Sequence, residues 1–358
     1  MPGFRIFDLN SPSDVKTWLE MWNSWPEREV FGHPEYLRLY DGKWSPGRCA
    51  AWQSEGVQVL HPFLLRDLAA EPFWSGPQDS LFDATSAYGY AGPYVWGQGC
   101  RDSAAARFWS EFQGWARDHQ VVSEFVRLGL FPGARLRYPG ETWQAAKQIV
   151  RSLDIEEGTL WADFDHKVRK NVNKALRSGV SVEIDTVSAR LPDFLQIYNH
   201  TLSRRSALDS YYFPSEFFLQ LRQRMSGQFV YFHAILDGKP VSTELVLISE
   251  RAVYSFLGGT LEGAFHCRPN DLLKFEIMKW ARQHGKSSFV LGGGYRGEDG
   301  IYRYKRAFAP RGQVTYFLGG QIFAGELYAA LVGARERFAS EHGQDWRPSP
   351  GFFPAYRS

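Results

Sequence analysis

Sulfur is scarce in this chain: Cys49, Cys100 and Cys267 stand far apart, and there are only four methionines in 358 residues. An odd, scattered set of cysteines excludes a disulfide framework and a cysteine-based metal knuckle, and predicts reduced thiols of a cytoplasmic protein. No apolar run approaches membrane-spanning length, and the opening MPGFRIFDLNSPSD has no apolar core after a basic segment. Membrane insertion and secretion are therefore not expected. Excess charge is lacking too. The formal balance is only +2, so affinity for a polyanion would have to come from local patches.

Familiar catalytic motifs are also missing. The sequence has no P-loop, no His-Glu-x-x-His, no Gly-x-Ser-x-Gly and no Cys-His pair at a recognised spacing, which removes the simplest routes to phosphoryl transfer, zinc hydrolysis and acyl-serine chemistry. No metal site and no cofactor is expected.

What the chain does have is aromatic residues, 16% of the total, and an unusual stretch from Val290 to Pro310, VLGGGYRGEDGIYRYKRAFAP. A short strand ends at Gly292, Gly293 and Gly294, a polar loop spans 295–300, and cations then alternate with rings through Tyr302, Arg303, Tyr304, Lys305 and Arg306. Consecutive glycines let the backbone pass close to something bulky. Cations among rings suit an anionic, planar ligand. The plain structural alternative is a glycine-rich turn into an amphipathic strand. Glu298 and Asp299 read as loop solvation.

An internal echo organises the rest. Trp115-Ala116-Arg117-Asp118-His119 leads into SEFVRLG, and Trp280-Ala281-Arg282-Gln283-His284 leads into SSFVLGG. In both places a helix with an apolar stripe precedes a Phe-Val strand. A weaker match lies upstream, GPYVWG against YSFLGGT. Two copies of one α/β unit follow from this, with a first domain at 1–150, a second at 151–319, and a tail at 320–358 packing back on the first. The pattern further predicts strands at 5–9, 48–53, 57–65 and 123–130. Helices are expected at 15–25 (capped by Ser13 or Asp14), 33–42, 102–119, 143–153, 165–177, 191–206, 214–226 and 324–342. The stretch 67–86 reads as irregular, and 86–97 as an aromatic-glycine strand and turn.

The helix at 165–177 carries Lys167, Lys170, Lys174 and Arg177 on one stripe, with Arg169 nearby and Val168, Val172, Ala175 and Leu176 opposite. No acid after Asp165 neutralises it, and such a stripe suits phosphates. Arg204, followed by Tyr211 and Tyr212, offers a bidentate fork beside a candidate aromatic wall, or simply an arginine at a helix C-terminus. GQGC (97–100) is a weak phosphate-loop signal, and the equivalent loop of the second copy, FHCRPNDLL, has no glycine.

In HKVRKNVNKALRSGV, YNHTLSRR…YYFPSEFF, AILDGKPVSTEL, PNDLLKFEIMKWARQHG and above all GIYRYKRAF, the chain resembles the Fem family of aminoacyl-tRNA-dependent peptidyltransferases. YGYAGP (88–93) is similar to a first-domain motif of FemAB-like proteins. The resemblance covers most of the chain. It implies an α/β fold of tandem acetyltransferase-like (GNAT) domains, each a mixed sheet flanked by helices. It also implies an enzyme that moves an aminoacyl group from aminoacyl-tRNA to an amine of a peptidoglycan precursor or a small metabolite. By that resemblance Lys305 and Tyr304 would serve catalysis at the tRNA terminus, and Lys167, Arg169, Lys170, Lys174, Arg303 and Arg306 would hold the tRNA. Arg204, Tyr88, Tyr90, Gly92, Pro93, Tyr211, Tyr212 and Arg38 would hold the acceptor. No helical arm is inserted in the second domain, unlike in some members. The alternative is a GNAT N-acyltransferase that uses acyl-CoA on a sugar amine, for which GQGC is the only local support.

Overall fold

The computed structural model describes residues 3–74, 81–295 and 297–358. The chain forms two compact units: 3–26, 31–74, 81–145 and 317–358 belong to the first, and 27–30, 146–295 and 297–316 to the second.

The first unit contains β1 (Gly3–Asp8), α1 (Pro12–Ser24), α2 (Pro34–Arg38), β2 (Gly47–Ser54), β3 (Val57–Asp67), β4 (Phe82–Thr85), β5 (Tyr94–Gly97), α3 (Arg101–Asp118), β6 (Val121–Arg127) and β7 (Glu141–Gln144). The second contains β8 (Gln148–Ser152), α4 (Glu157–Asp163), α5 (His166–Arg177), β9 (Ser181–Asp185), α6 (Leu191–Arg204), α7 (Ser215–Arg224), β10 (Phe229–Leu236), β11 (Lys239–Ile248), β12 (Ala252–Thr260), α8 (Pro269–Gln283), β13 (Ser288–Gly292), α9 (Gly300–Arg306) and β14 (Gln313–Val314). The chain then returns to the first unit with β15 (Phe317–Ile322) and α10 (Gly325–Glu341).

The two sheets share one plan. Their orders are β1-β2-β3-β4-β6-β15-β7 and, read the same way, β9-β10-β11-β12-β13-β8-β14. In each, one central pair is parallel, β4 with β6 and β12 with β13, and the other neighbours are antiparallel. The echoed pentapeptides end equivalent helices: His119 stacks on Trp115 and His284 on Trp280, each within hydrogen-bond reach of the tryptophan carbonyl through Nδ1. Even the weaker echo has a counterpart. β4 and β5 pair with successive stretches of β3, while the single strand β12 runs along β11 through a register shift. YGYAGP interrupts what is one strand in the second unit.

Several local expectations need correction. The stretch 143–153 is not a helix. It lies in β7 and β8, whose ladder partners β15 and β13 are remote in sequence. The run from Ile301 is a helix and not a strand, because Asp299 accepts from the Tyr302 N–H and caps it. Leu176 is 53% exposed, so it is not part of the apolar side of α5. Ser11, not Ser13 or Asp14, caps α1. Only Tyr94–Gly97 of 86–97 is strand. The irregular stretch contains β4, and its residues 75–80 lie outside the described residues, as does Arg296 of the polar loop.

The aromatic excess fills cores. Phe108, Trp109 and Phe112 of α3 enclose His61, whose Nε2 is 2.5 Å from Glu124 Oε1, and Tyr138 donates to Glu124 Oε2. In the second unit Val168, Val172 and Ala175 of α5 recur at helical spacing and pack in one cluster with Leu272, Leu273, Ile277 and Met278 of α8. The valine, leucine, isoleucine and methionine side chains each contribute roughly 1.5–3 kcal/mol of apolar burial. This packing leaves the lysine face of α5 outward.

Candidate active site

The parallel pairing of β12 and β13 covers only Ala252–Tyr254 against Ser288–Val290. β12 then continues along β11 as Ser255–Thr260, while β13 ends in the glycine turn. The C-terminal ends of diverging parallel strands are where open α/β sheets form binding crevices. Gly292 has φ +84°, and a Cβ there would stand 3.1 Å from the Lys305 Nζ. A Cβ on Gly294 would stand 2.4 Å from the Gly297 carbonyl oxygen and 2.5 Å from Asp299 Oδ1. The glycines thus let the turn fold tightly against the start of α9.

Asp299 also accepts from the Tyr295 N–H, which ties the loop to the cap. One and a half turns later Lys305 donates to the Gly293 carbonyl at 2.8 Å. Its side chain is half-buried. Burial and, next, the positive charge of Lys274 bring its amine down to about 7, against the opposing pull of Glu244 and Asp299. Tyr304 accepts a hydrogen bond from Asn270 Nδ2 at 2.9 Å. Burial and the carboxylates of Asp271 and Glu244 hold its phenol well above the ordinary range, so it stays protonated.

Asn270 and Asp271 lie in the first turn of α8. Asp271 is buried, accepts from Asn171 of α5 at 3.0 Å, and is pushed up by burial. Three elements therefore meet at this helix start: α5 through Asn171, α9 through Tyr304, and the turn at 262–267. Phe265 of that turn lies 4.8 Å beneath the Arg204 guanidinium. The Arg204 Nε is buried and has no hydrogen-bond partner among the described residues. Tyr211 is 6.1 Å from the Tyr295 ring, and Tyr212 is exposed beside Ser203.

Lys167, Lys170, Lys174 and Arg177 are exposed on α5, and none forms an ion pair among the described residues. Arg169 differs. Its guanidinium turns back to the Ala162 and Phe164 carbonyls, away from the stripe. Arg303 and Arg306 are exposed on α9. Tyr88, Tyr90, Gly92, Pro93 and Arg38 belong to the first unit. There Tyr36 donates to the Tyr88 carbonyl and Tyr94 to the Tyr90 carbonyl, and Gly92-Pro93 is a cis peptide. Arg38 is engaged with Glu35 and the Leu9 carbonyl.

The GQGC glycines have a packing explanation. A Cβ on Gly97 would fall 2.0 Å from the Gly56 carbonyl oxygen, and one on Gly99 2.4 Å from that of Glu55. They fit the turn between β2 and β3.

Sequence reasoning missed Lys274, Glu244, Asn270, Asp271 and Asn171. A signal existed for the first two. Lys274 falls among Leu273, Ile277 and Met278 on the buried side of α8, and Glu244 interrupts an apolar strand with the opposite charge.

Residues 162–306 match the family model for the acetyltransferase (GNAT) domain. Among solved structures, FemX shares 14% identity, covering 88% of this chain and 98% of its own at a TM-score of 0.65. The C-terminal domain of a putative lysylphosphatidylglycerol synthetase from Agrobacterium fabrum shares 14% identity, covering 89% and 97% at 0.53. L-PGS from Bacillus licheniformis shares 12%, covering 94% and 99% at 0.52. No curated protein matches the chain. The fold is a Fem-like double GNAT fold, as the sequence resemblance implied, and the second unit carries a domain of the acyltransferase type. Among the described residues no helix is long and apolar enough to cross a membrane.

Proposed function

We propose that the protein is an aminoacyltransferase that takes its donor group from aminoacyl-tRNA and forms an amide on an amine of a peptidoglycan precursor or a small metabolite. The observation that carries this reading is Lys305: an amine near neutrality, fixed at the glycine turn where β12 and β13 part. The likeness to FemX supports it at the level of fold.

An aminoacyl ester is already activated, so positioning and charge stabilisation suffice and no covalent enzyme intermediate is needed. The acceptor nitrogen attacks the ester carbonyl and gives its proton to neutral Lys305. The resulting ammonium stabilises the oxyanion. As the tetrahedral intermediate collapses, the C–O bond to the terminal ribose breaks and Lys305 returns the proton to the ribose oxygen. Tyr304, protonated and held by Asn270, is a second hydrogen-bond donor beside it. The outward stripe of Lys167, Lys170 and Lys174, with Arg303 and Arg306, supplies phosphate contacts. Arg169 contributes to the same region by bracing the end of α4. Arg204, with an unsatisfied Nε above Phe265, is suited to an anionic group on the acceptor, with Tyr211 and Tyr212 beside it. Tyr88, Tyr90, Gly92, Pro93 and Arg38 are assigned to the acceptor side by resemblance alone.

The acyl-CoA alternative is less well supported. The first turn of α8 carries the Asp271 side chain where a pyrophosphate would need bare N–H groups, and the GQGC glycines are accounted for by packing. The test is a single-turnover assay with bulk radiolabelled aminoacyl-tRNA and a soluble peptidoglycan precursor. Amide formation lost in Lys305→Ala, with the fold intact, is expected; equal turnover in that variant removes Lys305 from the chemistry.

A further inference from the structure

Between α8 and β11 lies an ion pair that the proposed reaction does not itself use. Lys274 of α8 and Glu244 of β11 are both buried, at 5% and 3% exposure. The Lys274 Nζ donates to both Glu244 oxygens at 2.6 Å and to Ser255 Oγ at 2.8 Å. All three ammonium hydrogens are therefore committed. Ser255 is the first residue of β12 beyond its pairing with β13, so the pair sits at the root of the divergence. Burying two charges is costly, and an apolar pair of the same volume would serve stability as well or better. Geometry ties the pair to Lys305: Lys274 Nζ lies 5.7 Å from the Phe289 ring of β13, the strand whose end Lys305 grips at Gly293, and Asn270, one turn before Lys274, bonds Tyr304 next to Lys305. At that range both charges act on the Lys305 amine.

We infer that Lys274, clamped by Glu244 and Ser255, is a positioning residue for Lys305 that sets the charge state in which the Lys305 amine meets substrate. The inference rests on the role given to Lys305 above. Lys274 places a fixed positive charge near the Lys305 amine that disfavours a second ammonium. Glu244 opposes it from β11, and Asp299 opposes it from the cap of α9. The other charges near the turn lie outward: Lys147 and Glu298 form an exposed pair at 2.9 Å, and Arg303, which reaches the Glu298 carbonyl, and Arg306 are exposed on α9. Gln148 of β8 is neutral. The clamp matters because its three hydrogen bonds fix where the Lys274 charge stands.

The two partners therefore act on Lys305 with opposite sign, whereas a pair that serves stability without coupling to Lys305 would leave its midpoint unmoved. Trace labelling of Lys305 with acetic anhydride across a pH series, read by peptide mass spectrometry on the full chain, reports its titration midpoint without any tRNA. Glu244→Gln is expected to lower the midpoint and Lys274→Met to raise it, each by about half a pH unit or more. The Glu244→Gln/Lys274→Met double variant leaves no lone buried charge and serves if a single variant does not fold. Its midpoint is expected above wild type and below that of Lys274→Met. Shifts of the same sign in both single variants, or an unmoved midpoint in the folded double variant, would overturn the inference. Opposite shifts in a protein that proves inactive with aminoacyl-tRNA would leave the coupling standing and sink only the donor assignment.

Discussion

Lys305 Nζ and the Gly293 carbonyl oxygen are 2.8 Å apart, and this hydrogen bond joins the end of β13 to the last turn of α9. It fixes the amine at the mouth of the diverging strands. Among the described residues the amine has one hydrogen bond, and its environment weakens its hold on a proton.

If Lys305 acts first as a base, activity should rise with pH as the neutral form accumulates. The rising limb should centre near 7, where burial and Lys274 place the amine, once the acceptor's own titration is subtracted. Lys305→Arg keeps the charge but cannot give up its proton, and a loss of roughly 10²-fold or more is expected. An arginine variant with wild-type kcat and an unchanged pH profile would leave Lys305 only an electrostatic role.

The α5 stripe makes a separate prediction. Lys170→Glu with Lys174→Glu should weaken tRNA binding and flatten its salt dependence by about one unit of log–log slope for each phosphate no longer neutralised. These side chains are exposed, so the denaturation midpoint should hardly move. An unchanged slope would make the stripe a solvated face.

Arg204→Ala should raise KM for the acceptor while leaving tRNA affinity alone, because its guanidinium stacks on Phe265 and not on α5. A loss of 10–100-fold is the expected scale for one charge-assisted hydrogen bond, about 1.5–3 kcal/mol. The reverse pattern, with tRNA weakened and acceptor unaffected, would exchange the two assignments.

How much of this was readable in the sequence depends on how local each signal is. Trp-Ala-Arg-x-His and the strand after it are contiguous, so both copies of the helix-strand unit showed. The Gly292–Gly294 break and the α5 stripe were equally local. The 143–153 stretch misled because β7 and β8 exist through partners far along the chain. Ile301–Arg306 was ambiguous because alternating rings and cations fit either period, and the Asp299 cap decides it. Lys274 and Glu244 each stand out as a charge at a buried position, but their pairing is illegible until folding brings β11 and α8 together.

A buried carboxyl gives a prediction about stability. Ser249 and Tyr254 each donate to Glu29 Oε2 at 2.6 Å, and burial pushes this acid up to about 7. Its folded value thus lies above the unfolded one, and the folded state keeps a proton that the unfolded chain has already lost. Stability from this group should fall as pH rises from about 4.5 through 7, by an amount on the order of 3 kcal/mol, and then level off. Glu29→Gln should remove the decline, gaining on wild type as pH rises in urea titrations. Parallel stability curves for the two proteins would show that Glu29 is not held protonated.

The donor is the centre of the account, and equilibrium binding tests it most directly. Purified protein titrated with bulk aminoacyl-tRNA and, separately, with acetyl-CoA at low and high salt should bind the tRNA with steep salt dependence and leave acetyl-CoA unbound. Binding of acetyl-CoA with no affinity for charged tRNA would contradict it and move the protein to acyl-CoA chemistry.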